Sequence, residues 1–291
     1  MTFNSLEEAA CRRLVEWALR EDLDTVGDLT SQAVIPAERQ GRAAFTARSA
    51  GVIAGLPAVA IVMQAVAADL ALQQLVDDSA IVKAGERLAV VSGPMRAMLS
   101  AERTALNFLQ HLSGIATRTR RYVDAIAGLS AHILDTRKTT PGWRLLEKYA
   151  VRAGGGQNHR LGLYDGILIK DNHLASVAAG AGSIARAVAA ARSSARPGLP
   201  IEIEVDNLEQ LEEALACRPD IVLLDNMQPT QIREAVRRRQ ALAPQVLLEA
   251  SGGITLANVR AIAECGVDRI SVGELTHSAP ALDIALDYFP A

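Results

Sequence analysis

Five basic side chains stand close to the points where two apolar runs of the chain begin or end. They are Arg137, Lys138, His159, Arg160 and Lys170. Residues 137–173 contain seven lysines and arginines but only three acids, although the whole chain has a net charge of −3. Because a guanidinium makes two parallel charge-assisted hydrogen bonds to a carboxylate or a phosphate, this pattern predicts a site for a small polyanion.

Polar residues and glycines also end the later apolar runs. They are Glu204, Asp225, the turn Ser251-Gly252-Gly253 and the turn Val272-Gly273-Glu274. Backbone N–H groups of glycine turns with a helix start behind them bind phosphate, and we expect such a helix to begin near Thr255. The two acids suit ribose hydroxyls, a divalent cation or acid–base chemistry. The pattern therefore predicts a sugar phosphate beside the small polyanion.

The elements that position these residues alternate between strand and helix. Apolar runs predict strands at 132–135, 166–169, 201–205, 221–224, 246–250 and 269–272. Helices are predicted between them at 142–153, 182–195, 207–216, 230–243 and 255–265. This alternation is typical of parallel strands joined by crossovers, and no Gly-x-Gly-x-x-Gly turn follows the first strand. We therefore predict an incomplete (β/α) barrel of about six parallel strands, whose carboxyl ends converge on one mouth.

Two of the helical stretches carry further expectations. Arg144, Lys148 and Arg152 recur at helical spacing, so we expect them to form a solvated face. The alanine-rich residues 175–195 predict a helix that packs through its small side chains, not a low-complexity segment.

The first part of the chain has a different pattern. Short β-like runs at 41–56 and 79–93 surround a helix-like stretch at 56–70, which predicts an α+β domain. A long helix at 94–128 bridges to the barrel, and we expect Gly114 to break it. We place the N-terminal domain with its bridging helix at 1–115 and the barrel domain at 116–291. The extreme C-terminus is expected to pack back on the N-terminal domain.

Composition excludes several classes of protein. Apolar residues make up 49% and charged residues 22%, as in folded proteins, while scarce aromatics and a net charge of −3 argue against nucleic-acid binding. Apolar Leu6, Ala10, Leu14 and Ala18 predict an amphipathic first helix rather than a signal peptide, and no apolar run is long enough to span a membrane. Three distant cysteines, Cys11, Cys217 and Cys265, are expected to be buried thiols in a reducing cytoplasm.

Several motifs together resemble the quinolinate phosphoribosyltransferase family. They are EDLDTVGDLTS, LSAERTALNFLQHLSGIAT, the long block at 135–173 from DTRKTTPG to KDNH, EIEVDN, LLDNM, ASGGI and VGELTHS. These motifs run through essentially the whole chain, and the long central block is highly specific. The resemblance implies an N-terminal α/β domain followed by an incomplete α/β barrel.

The resemblance also implies a role for each candidate site residue. Those that would bind the two carboxylates of quinolinate are Thr136, Arg137, Lys138, His159, Arg160 and Lys170. Those that would bind 5-phosphoribosyl-1-pyrophosphate are Glu204 and Asp225 at the ribose, and Ser251, Gly252, Gly253, Val272, Gly273 and Glu274 at the 5-phosphate. Arg103 would reach into the site of a neighbouring subunit, which makes the enzyme a homodimer or a larger homo-oligomer. The acidic Glu274 departs from the small or basic residue expected beside a phosphate.

The implied activity is transfer of the phosphoribosyl group to quinolinate with decarboxylation, which gives nicotinate mononucleotide, pyrophosphate and CO2 in the de novo synthesis of NAD. Lys138, Glu204 and Asp225 are the residues expected to take part in catalysis. Mg²⁺ would arrive on the pyrophosphate, with no direct protein ligand expected. Nothing in the sequence suggests a nucleic-acid or membrane partner.

Three alternatives remain open on sequence alone. Lys170 at a strand end would suit a Schiff-base aldolase barrel. A divergent pyrophosphorylase for another heteroaromatic acid would keep the sugar-phosphate half and alter the basic cluster. A non-catalytic sugar-phosphate binding protein would not need that cluster, so its completeness favours quinolinate.

Overall fold

The computed structural model describes residues 1–177 and 182–289. The chain divides into two compact units. Unit 1 consists of Met1–Arg120, Thr139–Gly155 and Glu274–Ala291, and unit 2 consists of Arg121–Lys138 and Gly156–Gly273.

The described residues form helices and strands in alternation. The helices are α1 (Ser5–Leu23), α2 (Leu29–Val34), α3 (Leu56–Val66), α4 (Met95–Ala125), α5 (Arg144–Ala153), α6 (Asp171–Val177), α7 (Ser183–Ser194), α8 (Leu208–Cys217), α9 (Pro229–Leu242), α10 (Val259–Ala263) and α11 (Glu274–His277). The strands are β1 (Gln40–Ala47), β2 (Gly51–Val52), β3 (Ala71–Gln74), β4 (Ile81–Val82), β5 (Arg87–Pro94), β6 (His132–Leu134), β7 (Ile167–Ile169), β8 (Ile201–Val205), β9 (Ile221–Asp225), β10 (Leu247–Ser251), β11 (Arg269–Ser271) and β12 (Ile284–Phe289).

Unit 2 is built on a six-stranded parallel sheet in the order β6-β11-β10-β9-β8-β7. Its strands are short apolar runs with buried centres, such as Ile133, Ile203 and Val222, because crossover helices cover a parallel sheet. The predicted fold class, with six parallel strands after an α+β region, is confirmed. All six strands lie within two residues of their predicted bounds.

The first strand of this sheet pairs with the last strand rather than with the second. β6 lies beside β11, and its other edge receives a single residue, Gln157, in a parallel bridge to Leu134. The Gln157 N–H donates to the Ile133 carbonyl at 2.8 Å, and the Asp135 N–H donates to the Gln157 carbonyl at 3.2 Å. The segment after Gly156 thus occupies the place that a neighbouring strand would fill in a closed barrel.

Unit 1 contains a four-stranded antiparallel sheet in the order β12-β1-β5-β3 and a two-stranded sheet of β2 and β4. The last strand, β12, pairs along the edge of β1, with Leu286 opposite Phe45. A buried Asp78 joins the helices of this unit, since it accepts the Gly55 N–H at the start of α3 and the hydroxyl of Tyr149 on α5, each at 2.7 Å.

The expected solvated face of α5 is wrong. Lys148 is completely buried, and Arg152 forms an ion pair with the buried Glu7 of α1 at 2.5 Å. Arg144 donates to the Thr139 hydroxyl at 3.0 Å. The reason is that α5 belongs to unit 1 and packs against α1, whereas its sequence position suggested an outer helix of the barrel.

The first helix forms as predicted, but it buries a different face. The buried residues of α1 are Glu7, Ala10, Cys11 and Val15, whereas Leu6 is 65% exposed. Glu7 is held inside because its carboxylate accepts the Asn4 N–H in a capping box and also pairs with Arg152. Of the cysteines, Cys11 and Cys265 are buried, and Cys217 is only partly so.

The alanine-rich stretch at 175–195 is not fully described. Its beginning lies in α6 and its end in α7, and residues 178–181 of the predicted helix fall outside the described residues. Among the described helices, none is long and apolar enough to cross a lipid bilayer.

Gly114 does not break the long helix as expected, because α4 runs through it from Met95 to Ala125. The glycine instead allows the chain near Pro280 to approach the helix. A Cβ atom at position 114 would lie 2.2 Å from the Pro280 carbonyl oxygen and 3.0 Å from the Ala281 Cα. Backbone contacts this short leave no room for a side chain.

Gly114→Ala is therefore expected to lower the free energy of unfolding by about 1–3 kcal/mol, the usual cost of overpacking, although alanine is the better helix former. The measurement is the midpoint of urea unfolding followed by circular dichroism. Gly166→Ala is the control, because its added Cβ would find only ordinary contacts of 3.5 Å or more. Equal midpoints for both variants would contradict the close approach.

Candidate functional site

A cavity of about 660 Å³ lies at the carboxyl ends of the unit 2 strands. The residues that line it are Thr136, Arg137, Lys138, His159, Arg160, Leu168, Lys170, Glu204, Leu223, Asp225, Asn226, Glu249, Ser251, Gly252, Gly253 and Ser271. Most of the predicted site residues are therefore in one place. Arg103, Val272, Gly273 and Glu274 are not among the described residues that line this cavity.

The basic rim comes from two segments that Asp135 holds together. Asp135 is completely buried at the end of β6, and its carboxylate accepts the His159 N–H at 2.9 Å and the Asn158 side-chain amide at 2.5 Å. The exposed Arg137 and Lys138 follow directly on the same segment. Asp135 thereby fixes the loop that carries His159 next to the strand end that carries Arg137.

Arg160 is the second guanidinium of the rim, and it is half-buried in a loop that several hydrogen bonds hold. Its Nη1 donates to the Gly166 carbonyl at 2.9 Å, and the carboxylate of Asp165 accepts two backbone N–H groups of the same loop. Burial, followed by the positive charge of Arg137, lowers the pKa of the Arg160 guanidinium. Two guanidiniums that repel each other in an empty cavity are stabilised when an anion lies between them.

Lys170 and Glu204 form an ion pair at the end of neighbouring strands β7 and β8. Lys170 Nζ lies 2.6 Å from Glu204 Oε2, and the carboxylate is nearly buried while the lysine is 44% exposed. This contact links the basic side of the cavity to its acidic side. It also engages the amino group that a Schiff-base enzyme needs as an unpaired nucleophile, which argues against the aldolase alternative.

Two interlocked turns form the acidic and glycine-rich side. Asp225 accepts the side-chain amide of Asn226 at 2.7 Å, and the Asn226 N–H donates to the Ser251 carbonyl at 2.9 Å. Gly252 and Gly253 both have positive φ, and a Cβ on Gly252 would lie 2.2 Å from the Asn226 side chain. A Cβ on Gly253 would meet nothing within 4 Å, so this side of the turn is open to a ligand.

The helix expected near Thr255 begins later than predicted. Residues 255–258 form a turn in which the Thr255 N–H donates to the Asn258 side chain at 2.8 Å, and α10 starts at Val259 and has only 5 residues. An anion at this turn would therefore be bound by backbone N–H groups of the glycines rather than by a long helix.

The remaining predicted residues lie elsewhere in the structure. Val272 is buried, and its N–H donates to the Leu134 carbonyl at 2.9 Å. Glu274 lies in unit 1, where its carboxylate accepts a hydrogen bond from Arg118 at 2.6 Å, which accounts for an acid beside the predicted phosphate turn. Arg103 is an exposed residue of α4. The phosphate role of residues 272–274 and the role of Arg103 stay predictions.

Sequence reasoning missed two buried acids at the floor of the cavity, of which Glu249 lines it. His159 Nε2 lies 3.1 Å from Glu202 Oε2 and 3.4 Å from Glu249 Oε1, and both glutamates are at least 95% buried. Arg269 donates to the other oxygen of Glu249 at 2.7 Å. The signal was present in IEIEV and VLLEA, where a glutamate stands inside an apolar strand run.

Burial and charge act in opposite directions in this cluster. Burial alone would lower the pKa of His159, but the contacts with Glu202 and Glu249 outweigh it, so the pKa of the proton that this cluster shares lies above that of a free imidazole. Burial raises the pKa of Glu202. For Glu249 burial acts in the same direction, but the contact with His159 and the charge of Arg269 hold its pKa below the usual value.

Comparisons with known proteins identify the family of this chain. The family model described as the C-terminal domain of quinolinate phosphoribosyl transferase matches residues 115–287, and the model of the N-terminal domain matches residues 28–113. The nicotinate-nucleotide pyrophosphorylase (carboxylating) of Mycobacterium leprae is 49% identical over 280 residues, which cover 96% of this chain and 97% of the relative. The probable enzyme of the same name from Bacillus subtilis is 44% identical, and the match covers 95% of this chain and 92% of the relative.

Solved structures give the same result. The nicotinate-nucleotide pyrophosphorylase of Francisella tularensis superimposes with a TM-score of 0.89 at 39% identity and covers 97% of both chains. The protein of that name from Ehrlichia chaffeensis has a TM-score of 0.89 at 37% identity, with 99% of this chain and 100% of the other covered. The chain therefore belongs to the quinolinate phosphoribosyltransferase family.

Proposed function

We propose that this chain is a decarboxylating quinolinate phosphoribosyltransferase and that the cavity of unit 2 is its active site. The observation that carries the assignment is the division of the cavity into a basic side, with Arg137, Lys138 and Arg160, and a side with acids and a glycine turn. A dicarboxylate fits the first side and a ribose phosphate fits the second. The reaction supplies nicotinate mononucleotide for NAD synthesis.

The basic side would bind quinolinate through its two adjacent carboxylates. Arg137 and Arg160 reach the cavity from separate segments, so each can bind one carboxylate, and Lys138 neutralises the remaining charge. The repulsion between the two guanidiniums is relieved when the dianion enters. A monocarboxylate would relieve only part of it, which explains selection for a dicarboxylate.

The opposite side would bind 5-phosphoribosyl-1-pyrophosphate. The open face of Gly253 and the backbone N–H groups of its turn suit the 5-phosphate, while Glu204 and Asp225 suit the ribose hydroxyls. Mg²⁺ would enter as part of the substrate, bound to the pyrophosphate. Glu204 is already paired with Lys170 and Asp225 with Asn226, which supports delivery of the ion by the substrate rather than a dedicated protein site.

The chemistry needs little more than positioning and charge. As pyrophosphate leaves, positive charge develops at the ribose carbon, and the acidic side chains of Glu204 and Asp225 stabilise it while the pyridine nitrogen attacks. The ring nitrogen is then cationic, so it stabilises the electron pair left on the neighbouring carbon when CO2 departs. A proton takes the place of the lost carboxylate. Lys138 assists by holding the substrate charge during these steps.

The assembly and the compartment belong to the same proposal. We infer that the enzyme is a homodimer or larger, with Arg103 of one subunit completing the site of another, and that it works in the cytoplasm on small-molecule substrates. The exposure of Arg103 and its place outside the residues that line the cavity of its own chain support a role in a neighbour's site.

Arg137→Ala and Arg160→Ala are expected to weaken quinolinate binding by tens- to over a hundredfold, since a lost charge-assisted contact costs about 2–3 kcal/mol. The measurement is calorimetric titration with quinolinate, together with a thermal unfolding midpoint to show that the fold is kept. Arg237→Ala is the control, because that guanidinium is 70% exposed on α9. Wild-type affinity in either rim variant would refute the quinolinate assignment.

Glu204→Ala and Asp225→Ala are expected to impair the use of phosphoribosyl pyrophosphate more than quinolinate binding, because ribose must lie between the basic rim and the glycine turn. Steady-state kinetics with each substrate varied in turn measures the effect, and Glu212→Ala, which removes a carboxylate 55% exposed on the surface, is the control. If quinolinate binding were lost and the sugar-phosphate site were intact, the two halves would be reversed.

An Arg103→Ala chain and a Lys138→Ala chain, each inactive alone, are expected to recover activity when mixed. In a mixed dimer one site carries both lesions and the other carries neither, so random exchange should restore about a quarter of wild-type activity. The measurement is release of labelled CO2 from quinolinate after subunit exchange has been verified by mass. Absence of recovery would show that Arg103 either acts in the site of its own subunit or has only a structural role.

A further inference from the structure

His159, Glu202 and Glu249 form a cluster at the floor of the cavity, which His159 and Glu249 line. The two glutamates have no assigned part in binding or chemistry. The two glutamates stand on β8 and β10, which are separated by β9, and His159 stands on the loop that continues into Arg160. One ring nitrogen therefore contacts two strands of the sheet at once. The contact joins the floor of the cavity to the loop that forms its rim.

The hydrogen bonds around the ring fix its protonation. Nδ1 accepts the Arg160 N–H at 2.8 Å, which requires a lone pair on Nδ1, so the ring hydrogen sits on Nε2 and points to the carboxylates. The same contact ties the ring directly to the backbone of Arg160. A shift of the imidazole would shift the start of the arginine side chain.

The charges in the cluster balance when it holds one proton in addition to the one on Nε2 of His159. Arg269 pairs with Glu249, and a second buried carboxylate would have no cation of its own while the ring is neutral. Glu202 Oε1 is buried without a hydrogen-bond partner among the described residues, as is Glu249 Oε1. A proton on Glu202 removes the unbalanced charge and leaves Glu249 as the ionised member.

We propose that Glu202 and Glu249 are positioning residues that hold His159, and through it the backbone of Arg160, in the geometry that binds a carboxylate of quinolinate. The inference rests on the proposed assignment of quinolinate to this cavity. Neither glutamate touches the substrate in this account. Their effect on catalysis is the placement of a guanidinium whose loop is also held by Asp135 and Asp165.

The test compares Glu202→Leu with Glu202→Gln in the full chain. Leucine removes the acceptor for Nε2–H without leaving a buried charge, so the KM for quinolinate is expected to rise about tenfold or more, because small displacements at a binding group have large effects. Glutamine keeps a neutral acceptor, so most of the loss should be rescued, to within about threefold of wild type. The KM for magnesium phosphoribosyl pyrophosphate should change little in both.

Glu249→Gln provides the same test if Glu202→Leu does not fold, since it keeps the shape of the side chain but removes the charge that pairs with Arg269. It is expected to raise the KM for quinolinate more than Glu202→Gln does. Glu209→Gln, at an exposed position in the first turn of α8, is the matched control. Thermal unfolding of every variant separates lost binding from lost fold.

Several different outcomes would overturn the proposal. Leucine and glutamine at 202 could have equal effects, or both KM values could rise together, which would indicate a general structural role. A stoichiometric metal ion in the purified wild-type chain, lost in Glu202→Leu and Glu249→Gln, would indicate a cation site, since the three donor atoms lie within 4.8 Å of one another. If neither Glu202→Leu nor Arg160→Ala changed quinolinate binding, the assignment of quinolinate to this cavity would itself fail. A loss in Arg160→Ala without any change in Glu202→Leu would refute the positioning role alone.

Discussion

The buried carboxylate of Asp135 is the contact on which the site depends. Thr136, Arg137 and Lys138 follow it in the chain, and it accepts hydrogen bonds from both Asn158 and the His159 backbone. Together with the backbone bridge of Gln157, this contact fixes the distance between the basic residues of the two segments. Under the proposed assignment, a dicarboxylate needs two groups of cations at a set separation, so binding specificity would begin with an acid that does not touch the substrate.

The wider electrostatic arrangement follows the same logic. Basic groups crowd the rim, and buried acids sit below and beside them: Glu249 with Arg269, and Glu204 with Lys170. Crowded cations destabilise the empty protein, and each buried acid lowers this cost while holding one part of the site in place. The positive charge therefore stays concentrated at the mouth, where it favours an anion.

Sequence periodicity predicted the strands of unit 2 well because each is a short apolar run with a polar end. It failed where a residue's surroundings come from distant parts of the chain. Lys148 has the spacing of a surface residue but is buried, because α5 packs in unit 1. Glycine usually weakens a helix, but Gly114 lies inside α4, where its lack of a side chain lets the backbone of Pro280 approach closely. The glutamate inside the apolar run IEIEV is a signal for a buried acid at 202, but the sequence does not reveal that a histidine from another loop contacts it.

The gap in the six-stranded sheet links fold to function. In a closed barrel, β6 would be flanked on both sides by strands, and the segment after it would be a crossover helix of the same unit. Here the segment after β6 forms α5 in unit 1, and Gln157 takes the free edge of β6 on the return. A regular strand at that edge would commit successive N–H and carbonyl groups to the sheet. A single bridged residue, Gln157, commits only its own N–H and carbonyl groups to the sheet. His159 and Arg160, two and three residues later, can therefore turn toward the cavity. The incompleteness of the barrel is thus what gives the site its second guanidinium.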